Sequence, residues 1–206
     1  MTGLEQVSIQ LDRAWWPLGD GTDSAAEIAD ALITSLVPTL GEPSVTALRS
    51  DLVSFADWSQ SLAPGERRSF ALVRYPEQGR VDALLSWRFS RIEGDVYDDY
   101  LALARSQQST DRVELVNQRV LEFTLGLGRA VVVHDILLMR EGGVLAPARE
   151  RCTIGFFVDS EPALIELHLA TMDLSLFDDI VEFALALVAG QDPGVPGQLE
   201  HRRVAG

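Results

Sequence analysis

The chain has 206 residues, 47% of them hydrophobic and 23% charged, and a formal net charge of −14; it has no lysine, so all 17 basic residues besides histidine are arginines. A field of that sign repels phosphate backbones and anionic lipid, so neither nucleic acid nor a membrane surface is an expected partner. A single cysteine, Cys152, excludes an internal disulfide and any multi-cysteine zinc site.

The opening residues have neither a basic start nor a continuous apolar run. No signal peptide is therefore expected, and the chain reads as reduced and cytoplasmic. The arginine-only usage fits the coding bias of a GC-rich, bacterial genome. Residues 4–16 alternate, with Val7, Ile9 and Leu11 against Ser8, Gln10 and Asp12; this predicts a strand ended by the proline and glycines of WWPLGDGTD. Asp23 or Ser24 then caps a helix running to about Leu36, with Ala25, Ile28, Ala29, Leu32 and Leu36 as its apolar stripe. A second helix is expected over about 44–62. The first 66 residues carry ten acidic residues and two arginines, so acidity is densest here.

Two strands, 69–75 and 81–89, are joined through PEQG as a hairpin. In the second, Val81, Ala83, Leu85, Trp87 and Phe89 point one way, and Asp82, Ser86, Arg88 and Ser90 the other. A helix over about 95–108 follows, its acidic first turn favoured by the helix dipole. Four strands come next, about 112–123, 129–139, 150–158 and 163–171. Their connectors are too short for parallel crossovers, so the neighbours are antiparallel. A wide apolar arc from Leu176 to Val188 predicts a last helix over about 174–189, and residues 191–206 show no periodicity and read as a disordered tail. The fold class is α+β: one domain over 1–190 with a mainly antiparallel sheet of about six or seven strands in an α/β/α sandwich, and a helical insert at 24–62.

The segment GLGRAVVVHDILL contains two glycines and a His-Asp pair. A dinucleotide loop needs a third glycine and a following helix. Here Val131 occupies the third glycine position and a β-branched run follows, so the glycines read as a hairpin turn. His134 and Asp135 are adjacent on a strand and leave opposite faces. They cannot pair with each other, and both rows around them are apolar, so each is expected to be a satisfied polar group of the core. No G-x-S-x-G elbow, P-loop or H-E-x-x-H is present. The acidic residues Glu93, Asp95, Asp98 and Asp99 lack the calcium-loop pattern; no metal and no cofactor are expected. His168 and Glu166 share the polar side of their strand, and Arg88 and Arg74 are candidates for the same polar sheet face. The two acidic helices are the competing occupants of that face. In the Trp15–Trp16 pair one ring is expected in the core, with Trp16 a candidate partner anchor.

Three segments carry a resemblance. VSIQLDRAWWPL looks like the first strand, GLGRAVVVHDILL like the central strand, and CTIGFFVDSEPALIELHLATMDLSLFDDIVEFALALV like the final hairpin and closing helix of the PsbP-like sandwich, which includes the LpqN-type proteins of actinobacteria. The resemblance implies an adaptor or assembly role, although the chain lacks that group's lipidation cysteine and adds the two-helix segment. The expected function is a non-enzymatic, cytoplasmic protein-binding adaptor, assembly factor or immunity-like protein, monomeric or weakly dimeric. The alternative is a small-molecule binder or hydrolase around His168, Glu166 and Arg88.

Overall fold

The computed structural model describes residues 11–18, 23–36, 41–61, 67–111, 113–141, 144–190 and 202–203. The fold is α+β with antiparallel strand pairing. The chain divides into two compact units, residues 11–88 and residues 89–206. The helical segment 24–62 belongs to the first unit, together with the strands that flank it.

In the first unit, β1 (Trp15–Pro17), β2 (Arg67–Leu72) and β3 (Ala83–Arg91) pair antiparallel in that order, β3 running on into the second unit. Of the expected strand 4–16, only Trp15 and Trp16 are in β1, which runs on through the Pro17 that reads as its breaker; residues 11–14 are coil and turn, and residues 4–10 lie outside the described residues. Pro17 is tolerated because a strand edge does not need its missing N–H; Leu18 supplies the next backbone bond, to Ser69. Helix α1 (Ala25–Leu36) starts from a capping box. The Ser24 hydroxyl and backbone N–H both donate to Glu27 Oε2, and the Glu27 N–H returns to Ser24 Oγ. Helix α2 (Glu42–Ser61) packs on α1, and Arg49 forks onto Asp30 across them at 2.6 and 3.0 Å. Ile28, Ala29, Leu32, Leu48 and Leu52 form a core with Ala71 and Val73 of the β2 segment. The β2–β3 connection contains a short 3₁₀ turn, Pro76–Gln78, tied to α2 by the Ser44 hydroxyl on the Glu77 carbonyl.

In the second unit, α3 (Tyr97–Arg105) precedes β4 (Val113–Leu125), β5 (Gly128–Glu141), β6 (Val144–Val158) and β7 (Ala163–Thr171), paired in the order 4-5-6-7. The two glycines are a turn: Leu125 pairs with Gly128, and a Cβ at Gly128 would run into the Phe157 carbonyl on β6. Helix α3 covers one face through Tyr97, Leu101 and Ala104 against Val131, Val133, Phe157 and Leu164. On the other face lie Cys152, Ile154, Phe156, Ile165, Leu167 and Leu169, all fully buried. Helix α4 (Ile180–Val188), hydrophobic almost all round, packs on β6 and β7. Burying a Leu or Phe is worth about 1.5–3 kcal/mol each, so a helix on each face makes this unit a three-layer sandwich.

The last helix begins at Ile180 rather than near 174. Asp179 is its cap, extended, with its carboxylate accepting from the Val181 and Glu182 N–H groups. Leu176 and Phe177 therefore lie in the preceding loop, where the Phe177 ring still reaches Phe183 at 4.7 Å. The expected tail, 191–206, falls mostly outside the described residues; within it, β8 (Arg202–Arg203) pairs with Phe123 and Thr124 of β4.

Candidate functional site

His134 and Asp135 leave opposite faces of β5, and each finds its partner on β6. His134 Nε2 lies 2.8 Å from Glu150 Oε1. Asp135, whose side chain is 0% exposed, receives two bonds from Arg151, Nε at 3.0 Å and Nη2 at 2.6 Å. Gln107 also accepts from Arg151, at 3.4 Å. Both polar residues are thus satisfied from within the sheet. Cys152 stands directly across from His134 in the β5–β6 register and shares its face, so a cysteine, a histidine and a carboxylate are neighbours. Nucleophilic chemistry needs a thiolate. Here burial, then the nearby carboxylates Asp179, Asp135 and Glu150, push the thiol well above its ordinary pKa, and the residue is fully buried.

Glu166 and His168 share the α3 side of β7, opposite Gly155 and Thr153 of β6. His168 Nδ1 meets the Thr153 hydroxyl at 3.2 Å. Tyr100 lies so close over Gly155 that an added Cβ would approach its ring to 2.5 Å. Arg88 and Arg74 belong to the first unit. Arg88 is half-buried opposite Arg67, whereas Arg74 is exposed just beyond β2, its N–H donating to Asp82 at 2.7 Å. Trp15 is buried; Trp16 is half-buried and packs on the helical core of its unit, with its indole N–H buried and unpartnered among the described residues. Leu84, in the same strand row as Ser86 and Arg88, packs on that core too.

Sequence reasoning passes over two other features of the second unit. One is the β7–α4 loop. Asp173 organises it: Oδ1 accepts from the Ser175 N–H and hydroxyl, its N–H donates to Thr171 Oγ1, and its carbonyl accepts from the Leu176 N–H. On this pinned backbone Met172 and Leu174 are 44% and 48% exposed. The other is a pocket of about 400 Å³ between the segment before α3, the start of β5 and the β6–β7 turn, with Arg129 and Phe157 among its walls. The signal for the loop was the apolar pair bracketing Asp173; nothing local in the sequence marks the pocket, because its walls come from three separated segments.

Among the described residues, no group of three or more His, Cys, Asp or Glu side chains could hold a metal ion, and no helix is long and apolar enough to cross a membrane. Compared with known proteins, the chain matches no family model and no curated protein.

Proposed function

We propose that this protein is a non-enzymatic, protein-binding adaptor or assembly factor, or an immunity-like protein, of the bacterial cytoplasm, and that its second unit is a variant of the PsbP-like sandwich. The observation that carries this reading is the β7–α4 loop. Two large apolar side chains stand in water on a loop held by hydrogen bonds around Asp173 and Thr171. Ordering such a loop before binding lowers the entropic cost of association. Asp173 lies between the two apolar residues, Asp178 follows them, and the chain is strongly acidic overall, so the expected partner segment combines apolar with basic side chains. The protein is then a monomer, or a weak dimer, until that partner arrives.

The alternative, a small-molecule binder or hydrolase around Glu166, His168 and Arg88, has less support. Tyr100 occupies the space over Gly155, the residue across from Glu166, and the pocket described above is lined by none of the three.

The test is a pull-down from the native cell with wild-type protein and with Leu174→Asp, followed by affinity measurement on the purified partner. A stoichiometric partner that binds the wild type and loses about tenfold or more with Leu174→Asp supports the reading. Absence of any stoichiometric partner, or binding indifferent to Leu174→Asp and Met172→Asp, overturns it.

A further inference from the structure

The pocket of the second unit combines a fixed cation, spare carboxylates and an apolar floor. Arg129 is held in place rather than left to wave: its guanidinium lies 4.2 Å over the Tyr97 ring. Tyr97 is itself pinned, its hydroxyl donating to Glu122 at 3.0 Å and its ring meeting Phe157 edge-on at 5.1 Å. Such stacking leaves the in-plane N–H groups of a guanidinium available. Asp95 stands 3.6 Å from Arg129, beyond a good hydrogen bond, and among the described residues no acceptor takes a bond from the guanidinium. Its side chain is 46% exposed. An oriented, open fork of this kind is what a bidentate carboxylate uses.

The β6–β7 turn contributes the other sign. Asp159 and Glu161, on the β6–β7 turn, line the same pocket, and among the described residues neither carboxylate is paired with a cation. One oxygen of Glu161 is buried without a hydrogen-bond partner. Ile92, Phe157 and Pro162 supply the apolar surface between. A simple anion would meet these carboxylates, and a simple cation would meet Arg129. A molecule bearing both charges satisfies both sets of groups. We infer that this pocket binds a small zwitterion of the free amino-acid type. Its carboxylate is taken by Arg129, its ammonium by the Asp159–Glu161 side, and an apolar side chain lies against Phe157 and Pro162. The site is separate from the β7–α4 loop and does not depend on the adaptor reading.

The experiment is a titration of the isotopically labelled full chain, followed by the amide resonances of Gly94 and Ser160. The probes are L-phenylalanine and L-leucine, alongside 3-phenylpropanoate, which lacks the amine, and phenethylamine, which lacks the carboxylate. The expected result is saturable shifts at both amides with at least one amino acid in the millimolar range or below, and about tenfold weaker binding of both single-charge probes, since each loses a charge-assisted contact. Arg129→Gln is expected to weaken the amino acid at least as much, and Asp159→Asn to weaken it while leaving 3-phenylpropanoate no worse. Should Arg129→Gln perturb the fold, the exposed Asp159→Asn carries the test. Three results overturn the proposal: no shift with either amino acid, phenethylamine or 3-phenylpropanoate binding as tightly as the amino acids, or full affinity retained in Asp159→Asn and a folded Arg129→Gln.

Discussion

Asp135 and Arg151 face each other directly across β5 and β6 and form a forked pair in which the carboxylate is fully buried and the guanidinium is not. The asymmetry decides how the pair responds to damage. Arg151→Ala strands a charge in the interior, and breaking a buried pair in this way costs about 3–5 kcal/mol. Asp135→Asn costs less, because Arg151, with about a third of its side chain in water, can turn outward. Denaturant midpoints of the two variants give the order, and equal losses would contradict it.

Tyr100 of α3 packs directly over Gly155 of β6. Gly155→Ala drives a methyl group into the Tyr100 ring, which also stands edge-on to Phe157 at 5.5 Å. Overpacking of this kind costs about 1–3 kcal/mol. Adding Tyr100→Leu to the Ala variant is expected to return part of that loss, and a double-mutant cycle by chemical denaturation measures the coupling.

Cys152 is the only cysteine, and burial raises its pKa. Thiol reagents are therefore expected to leave the folded protein unlabelled at neutral pH and to react fully once denaturant opens the second unit. The labelling rate then reports opening of β6, and rapid labelling of the native protein would contradict the packing under α4.

The start of α1 is sensitive to acid. Hydrogen bonds from the Ser24 hydroxyl and N–H hold Glu27 below its ordinary value of 4.5, and Arg49 holds Asp30 below 3.8. Both folded-state values lie under the unfolded ones. Their stabilisation is thus fully present above about pH 4.5 and disappears as pH falls through the lowered values. Glu27→Gln is expected to flatten the acid side of the stability curve, read by circular dichroism at a fixed denaturant concentration.

Tyr97 responds at the other end of the scale. Burial, then its bond to the Glu122 carboxylate, raises it from 10.0 to about 12. A raised folded-state value means stabilisation present below pH 10 and lost as pH climbs from 10 towards 12. In an ultraviolet titration of phenolate absorbance, Tyr97→Phe should remove a step near pH 12, and a Tyr97 titrating near 10 would contradict the burial.

Alternation and short connectors are local signals, and the parts of the fold that depend on them were legible. Ile165, Leu167 and Leu169 are buried while Glu166 and His168 are half-buried, and His134 and Asp135 do leave opposite faces. Their partners were not legible. Glu150 and Arg151 come from the neighbouring strand, and which residue faces which depends on the register of a long hairpin that no local pattern encodes. The start of α4 was misplaced because Leu176 and Phe177 continue its apolar arc; a side chain can be buried from a loop as well as from a helix, and only the Asp179 cap tells the two apart. The pocket was hidden for a topological reason: Asp95, Arg129 and Asp159 each look ordinary in their own segment, and it takes both the β5–β6 pairing and the bond from the Ile92 N–H to the Pro162 carbonyl to bring those segments together.

The two polar residues at the centre of β5 also work as a lock on strand alignment. Sliding β5 by one residue in one direction would set Asp135 against Glu150, carboxylate beside carboxylate, and His134 against Arg151, with neither keeping its partner. Sliding it the other way would press Arg151 on Ile136 and leave Asp135 beside Cys152. A long hairpin whose central rows are largely apolar on both faces has little else to distinguish neighbouring alignments. The polar pairs on its two faces penalise both errors at once, so exchanging them for apolar residues of similar volume would be expected to keep the sheet while loosening its register.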